Sequence, residues 1–179
     1  MKKFEVEIQG STPLLVNRFV CEQLDQTKRK IVTGKQTSVE DKLYMVDGKP
    51  YIPCEYLERA MIDAGKDFKG KGRSTLSKIM GAMVSILPDA LIISPSKWVI
   101  DVRSAVNPTT KGRMMVQRPK FVAWRLKFEL VIETDDIPTE RIKEILDFAG
   151  MYVGIGDYRP VKKGKFGKFM VTSFKEKKE

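Results

Sequence analysis

The 179-residue sequence contains no histidine, and its two cysteines, Cys21 and Cys54, lie far apart. Without histidine the chain lacks the commonest general base at neutral pH and the usual partner of a serine or cysteine nucleophile. Two distant thiols argue against a disulfide framework and against a zinc site, which needs about four ligands. These absences favour a non-catalytic protein. We predict no catalytic residue, no metal ligand and no cofactor.

Long apolar runs are also missing. No stretch approaches the ~20 residues of a membrane span. The N-terminal residues lead directly into an alternating segment, without the apolar core of a signal peptide. We therefore expect a soluble, cytoplasmic protein.

Acidic residues are outnumbered and unevenly placed. Lysine and arginine total 33 against 23 aspartates and glutamates, which gives a net charge of +10 and a pI near 9.6. Residues 26–37, 103–120 and 159–169 carry cations without a single acid, whereas residues 129–147 hold seven acids and two bases. This segregation predicts one basic face or groove and a polyanionic partner. Nucleic acid, a ribosome or an acidic membrane would each satisfy the charge alone.

Hydrophobic periodicity predicts an α+β fold. Residues 4–8 and 121–133 alternate apolar and polar side chains as half-buried strands do, and residues 90–93, 98–102 and 168–174 also read as strands. Residues 53–68 predict a helix, and a second helix follows Ser74. A third helix begins at Pro138, and Gly150 is predicted to end it.

The element order is strand, helix, strand, strand, helix, strand once the insertions are removed. This order is typical of a ferredoxin-like, RRM-type βαββαβ antiparallel sheet. We predict a single domain spanning residues 1–179, with long basic insertions at about residues 20–42 and 104–119.

Residues 154–169 form a glycine-rich basic segment, GIGDYRPVKKGKFGKF, with a single acid. Glycine allows main-chain N–H groups to approach an anion closely, and Tyr158 and Phe166 offer flat faces for stacking with a base. The segment therefore predicts a nucleic-acid-binding loop. A solvated basic turn before the last strand is an equal alternative.

Three stretches resemble the RAMP superfamily, the RNA-recognition-fold proteins of CRISPR effector complexes. The first is the opening strand followed by TPLL at residues 12–15. The second is KPYIP at residues 49–53 leading into YLERA at residues 56–60, where Cys54 and Glu55 stand in place of the family's usual Gly-Ser. The third is the glycine-rich segment, similar to the family's closing signature. The short chain resembles a compact, phage-encoded or minimal-system member.

The resemblance implies binding of single-stranded nucleic acid along a row of identical subunits. Family members stack side by side and insert a protruding hairpin between neighbouring nucleotides, and residues 20–42 and 104–119 are the two candidates for that hairpin. The expected partners are single-stranded RNA, favoured over DNA, and either further copies in a homo-oligomer or filament or the subunits of a ribonucleoprotein. No membrane partner is expected.

We predict that the basic segments hold phosphates with little sequence preference, because phosphate contacts carry no base code. The candidate binding residues are Arg18, Lys28, Arg29, Lys30, Arg73, Arg103, Arg113, Arg118, Gly154, Gly156, Tyr158, Arg159, Lys163, Lys165 and Lys168.

Two alternatives remain open. One is a metal-dependent endoribonuclease of the same superfamily, for which Asp25 is the sole nominee. The other is an assembly or inhibitory protein that binds another protein through its methionine-rich second helix, with Trp98 and Trp124 as anchors. For both tryptophans, and for the helix stripe Leu76, Ile79, Met80 and Met83, core packing is the favoured interpretation.

Overall fold

The computed structural model describes residues 1–18, 38–106 and 110–177. In chain order the described elements are β1 (Lys2–Gly10), β2 (Leu14–Leu15), β3 (Tyr44–Val46), β4 (Lys49–Pro53), α1 (Glu55–Ala64), α2 (Ser77–Met83), β5 (Val84–Leu87), β6 (Ala90–Ile92), β7 (Val99–Val106), β8 (Arg113–Phe121), β9 (Arg125–Ile132), α3 (Thr139–Phe148) and β10 (Phe169–Glu176).

A four-stranded antiparallel sheet lies at the centre, in the order β10–β1–β9–β5. β1 and β9 are the two middle strands of this sheet and correspond to the first and third strands of the βαββαβ order. β10 and β5 are its edge strands and correspond to the last and second strands of that order. Val6 of β1 is paired with Phe128 of β9 and with Phe174 of β10. The predicted α+β, ferredoxin-like fold is confirmed.

The helices cover one face of this sheet. On β1 the alternation buries Phe4, Val6 and Ile8, and on the helices the buried positions recur at helical spacing. Full burial of one such side chain stabilises the fold by about 1.5–3 kcal/mol. The buried helix residues are Leu57, Ala60, Met61 and Ala64 of α1 and Ile142, Ile145 and Leu146 of α3.

The second strand of the sheet is not where the sequence predicted it. It is β5, whereas residues 90–93 and 98–102 contribute β6 and β7 to two smaller sheets. The helix α2 has only seven residues and ends at Met83. Met83 is 41% exposed, so it does not belong to the buried stripe that the sequence predicted for this helix. Val84 and Ile86 continue the apolar pattern with the period of a strand, and the Ile86 N–H donates to Glu58 Oε1 of α1 at 3.0 Å.

The end of the third helix also differs from the prediction. The chain continues past Gly150 as a π-helical turn, Ala149–Val153, and stops at Gly154, whose φ is 69°. A side chain at Gly150 would place Cβ 2.2 Å from the Phe169 carbonyl oxygen. Gly150 is therefore required for close packing against β10, and Gly154 supplies the left-handed stop.

The two smaller sheets are β2–β8–β7 and β3–β4–β6. Strands β7 and β8 form a long hairpin, paired from Val99 with Lys120 at its base to Val106 with Arg113 near its tip. Its eight residue pairs span roughly 25 Å. The insertion predicted at residues 104–119 therefore covers the end of β7 and most of β8. Residues 107–109, and most of the insertion predicted at residues 20–42, lie outside the described residues.

Trp124 is buried and its indole Nε1 donates to the Thr12 carbonyl oxygen at 2.8 Å. Trp98 is half-buried against the core. Trp124 therefore belongs to the core, as the favoured interpretation predicted.

Candidate nucleic-acid interface

The glycine-rich loop, residues 154–168, is fixed against the chain that follows β1. The Asp157 N–H donates to the Leu15 carbonyl oxygen at 2.9 Å, and the Gly167 N–H donates to that of Pro13 at 2.8 Å. Gly156 has a φ of 77°, and a Cβ there would lie 2.5 Å from the Leu15 oxygen. The glycines therefore allow the loop to pack closely against residues 13–15.

The base of the β7–β8 hairpin rests on the same loop. Arg118 of β8 is 5% exposed and forms an ion pair with Asp157, with Nε and Oδ2 2.5 Å apart. Its guanidinium lies over the Tyr158 ring, 4.9 Å from the centroid, and the Tyr158 hydroxyl donates to the Ser104 carbonyl oxygen at 3.3 Å. Hairpin and loop are thus joined by an ion pair, a cation–π contact and a hydrogen bond.

Arg118 retains donor capacity. The ion pair with Asp157 falls short of hydrogen-bond geometry at Nε, and Nη1 has no hydrogen-bond partner among the described residues. Because its side chain is buried, Arg118 does not present a charge at the surface as predicted. It holds the loop through its contacts with Asp157 and Tyr158.

A second buried acid organises the hairpin base. Asp101 of β7 is 6% exposed and accepts hydrogen bonds from Arg103 Nε at 2.6 Å and Lys120 Nζ at 3.0 Å. Burial acts to raise the pKa of Asp101, but the hydrogen bonds from Arg103 and Lys120 outweigh it, so the pKa lies below its ordinary value. Arg103 also covers the Phe166 ring at 4.6 Å. Phe166 is 7% exposed, so it is not the open stacking face that the sequence predicted.

The segments at residues 17–18 and 42–44 complete the surface. Lys42 Nζ donates to the Gln117 carbonyl oxygen of β8 at 2.6 Å, and the Lys42 carbonyl accepts from the Arg18 N–H at 2.9 Å. Burial, together with the charge of Arg118, lowers the pKa of Lys42. The Arg18 guanidinium lies 5.9 Å from the centre of the Tyr44 ring.

A pocket of about 540 Å³ opens between the first turns of α1 and the glycine-rich loop. Two tyrosines line it, Tyr44 and Tyr56, whose hydroxyls are 3.1 Å apart. Burial and the hydrogen bond with Tyr44 raise the pKa of Tyr56, so its hydroxyl stays protonated. The charged residues that line the pocket are Glu55, Arg59, Asp63, Asp157 and Arg159.

Most of the predicted binding residues within the described part of the chain lie on these connected elements. Gly154, Gly156 and Arg159 have structural roles that the sequence did not show. Both glycines are buried, and the Gly154 N–H donates to the Ala149 carbonyl oxygen. Arg159 Nη1 donates to the Gly156 carbonyl oxygen at 3.1 Å. The predicted residues on the loop, the hairpin and the adjoining segment are Arg18, Arg103, Arg113, Arg118, Gly154, Gly156, Tyr158, Arg159, Lys163, Lys165 and Lys168.

Arg73 is placed elsewhere. The loop that contains Arg73 borders a pocket beside the beginning of α3, whose lining includes Lys71, Asp136 and Arg141. The glycine-rich loop follows the other end of the same helix, about 15 residues further on, which corresponds to roughly 20 Å. Lys28, Arg29, Lys30 and the nuclease nominee Asp25 lie outside the described residues.

The outward face of the central sheet is not a base-stacking platform. RNA-recognition modules carry aromatic side chains there, whereas this face of β1 and β9 holds charged pairs and no aromatic residue. Lys127 pairs with Glu7 at 3.5 Å, and Lys177 of the C-terminal segment pairs with Glu129 at 2.8 Å. The candidate interface therefore lies at the loop and hairpin.

Sequence reasoning missed Tyr44, Tyr56 and Arg59 as lining residues of the pocket. Tyr56 and Arg59 are three residues apart on α1 and so lie on one helical face, which is the signal that could have selected them. Tyr44 is brought to them by the β3–β4 pairing, which has no local signature for this contact.

Within residues 1–18, 38–106 and 110–177, no group of three or more His, Cys, Asp or Glu side chains is placed to hold a metal ion. No helix in this part of the chain is long and apolar enough to cross a membrane.

No protein-family model and no curated protein matches the chain. Among solved structures, a chain in the cryo-EM structure of the Type III-B Cmr-beta bound to cognate target RNA has a TM-score of 0.59 and 16% identity, over 99% of this chain and 61% of that one. The crystal structure of Cmr6 from Pyrococcus furiosus has a TM-score of 0.43 and 10% identity, over 96% of this chain and 98% of that one.

The present chain thus spans less than two thirds of the length of the Cmr-beta chain that it resembles. At 16% identity the likeness establishes a shared fold.

Proposed function

We propose that the protein binds single-stranded nucleic acid, RNA in preference to DNA, as a RAMP-type subunit of a CRISPR-like ribonucleoprotein. The observation that carries this proposal is the joining of separate basic segments: the hairpin, residues 17–18 and 42–44, and the glycine-rich loop are linked through Arg118, Asp157 and Lys42. They form one cationic surface for a flexible polyanion.

The cations on this surface suit phosphates. Lys163 and Lys165 are exposed on the glycine-rich loop and form no ion pair with the described residues. Each phosphate that they neutralise releases condensed counterions, which favours binding whatever the base sequence. The RNA preference rests on the fold shared with a chain whose structure contains target RNA.

The hairpin is proposed as the element that meets a neighbouring subunit along the strand. Its inward face carries Asp101 and Arg118, while the opposite face exposes Ile100, Val102 and Met115 at 51, 49 and 65%. Exposed apolar side chains in such a row mark an interaction surface. Side-by-side assembly on the nucleic acid would cover them.

The test is fluorescence anisotropy of a labelled 12-nucleotide single-stranded RNA with charge variants. We expect the double variant Lys163→Gln/Lys165→Gln to bind about thirtyfold more weakly, because it removes two phosphate contacts that contribute roughly 1 kcal/mol each at moderate salt. The matched control is Lys69→Gln/Lys78→Gln, which removes the same charge from two exposed lysines that flank the Arg73 loop in sequence and do not lie on the glycine-rich loop or the hairpin. Equal losses in both variants would show that net charge alone attracts the RNA and would refute the site.

A further inference from the structure

The pocket between α1 and the glycine-rich loop has a composition that phosphate binding does not explain. Its volume, about 540 Å³, is within the range of small-ligand pockets, about 300–1,000 Å³. Three carboxylates, Glu55, Asp63 and Asp157, contribute to its lining beside Arg59 and Arg159. A carboxylate repels a phosphate and accepts hydrogen bonds, so this lining suits a ligand with its own N–H donors.

Two of the three carboxylates are already engaged. Asp157 pairs with Arg118 and accepts from the Tyr158 N–H at 3.1 Å, and Asp63 pairs with Lys66 at 2.6 Å. Glu55 is exposed, and its one polar side-chain contact among the described residues is with Cys54 Sγ at 3.9 Å. Its carboxylate therefore retains nearly all of its acceptor capacity.

Glu55 and Arg59 are one helical turn apart on α1, with opposite charges at the spacing that normally favours an ion pair. Nevertheless, no ion pair within 4 Å joins either of them to a described residue. Both line the pocket. The Glu55 carboxylate, which accepts hydrogen bonds, and the Arg59 guanidinium, which donates them, are thus both available to a ligand in the same pocket.

A nucleobase that fits this pair must present two adjacent N–H donors to the carboxylate and an acceptor to the guanidinium. Among the four RNA bases, guanine alone has two adjacent donors on one edge, N1–H and the N2 amine, with O6 beside them. Arginine is a known donor to guanine O6, which it binds together with N7 in the major groove of DNA. Tyr44 and Tyr56 supply an aromatic wall, which suits a planar ring.

We propose that this pocket binds one guanine base of the single strand, with Glu55 accepting from N1–H and N2–H and Arg59 donating to O6. The inference rests on the proposed single-strand binding and adds to it a base preference at one position. Lys163 and Lys165, on the loop that borders the pocket, would hold phosphates whatever the neighbouring bases.

The experiment compares three 12-nucleotide RNAs by fluorescence anisotropy with the full chain: oligouridine, oligouridine with one central guanosine, and the same oligomer with inosine, which lacks the N2 amine. We expect the guanosine oligomer to bind about fivefold or more tightly than oligouridine, and the inosine oligomer to lose most of that advantage. In Glu55→Gln the guanosine-to-uridine affinity ratio should fall to about one.

The matched control is Glu140→Gln, which removes an exposed acid from the first turn of α3 and should leave the ratio unchanged. Equal affinities for all three RNAs would overturn the guanine pocket and leave the proposed function standing. A guanine preference that persists in Glu55→Gln would overturn the assignment to this pocket. If none of the three RNAs binds, the proposed function itself fails.

Discussion

Arg118 and Asp157 are 39 residues apart in sequence and 2.5 Å apart in space, and they join the hairpin base to the glycine-rich loop. Arg118 is almost fully buried, while the Asp157 side chain is about one third exposed. The contact links two elements of the candidate surface that are distant in sequence, and the hydrogen bond from the Tyr158 hydroxyl to the Ser104 carbonyl oxygen links them a second time.

Breaking this ion pair should destabilise the protein. We expect Arg118→Ala to lower the free energy of unfolding by about 2–3 kcal/mol, less than for a fully buried pair because Asp157 is partly solvated. Urea denaturation followed by circular dichroism measures the change. As a control, Lys143→Ala removes an exposed helical pair with Asp147 and should cost at most about 0.5 kcal/mol. Similar losses in the two variants would show that the contact does not hold the loop.

Asp101 should make stability depend on acid pH. Its pKa is lowered in the fold, so its ion pairs stabilise the native state above the unfolded value of about 3.9 and are lost as pH falls through the lower folded value. We expect Asp101→Asn to be about 2–4 kcal/mol less stable than the wild type at pH 7. The difference should shrink below about pH 4. Thermal melts over this range test the prediction, and a constant difference would contradict it.

Gly156 should tolerate substitution far less than another glycine of positive φ. Gly156→Ala adds a clash with the Leu15 carbonyl to the strain of φ +77°, whereas Gly48→Ala, at φ +71°, meets no atom within 4 Å. We expect Gly48→Ala to cost about 1–2 kcal/mol and Gly156→Ala to cost more and to weaken RNA binding. Denaturation and anisotropy of both variants provide the comparison. If the two alanine variants cost the same, the close packing at Leu15 is unimportant.

The hairpin's outward face should matter for assembly but not for folding. Val106 and Met115 are 60 and 65% exposed, so Val106→Ser/Met115→Ser should change the free energy of unfolding by less than about 0.5 kcal/mol. Light scattering on RNAs of increasing length should show that the wild type adds subunits stepwise and that the variant does not. Unchanged stepwise addition in the variant would exclude this face as the subunit contact.

The sequence predicted the framework of the fold where local periodicity is strong. β1 and β9 alternate clearly, and α3 has a regular apolar stripe, so these elements were identified. β5 was missed because its first residue, Val84, directly follows α2 without a turn residue. Short apolar runs do not distinguish a helix end from a buried strand.

The site was predictable in composition and less so in geometry. The cations on the glycine-rich loop were found because they cluster along the chain. The burial of Arg118 and of Phe166 depends on contacts between distant segments, which periodicity cannot reveal. The glycines suggested an approach to phosphate, whereas in the structure Gly156 permits close packing against Leu15.

The most direct test of the central claim is the salt dependence of single-stranded RNA binding. A surface that neutralises several phosphates should give a plot of log K against log salt concentration with a slope of about −0.7 for each phosphate contacted, hence about −2 to −4 here. Lys163→Gln/Lys165→Gln should flatten the slope by about 1.4. A slope near zero, or binding unaffected by this variant, would contradict the account.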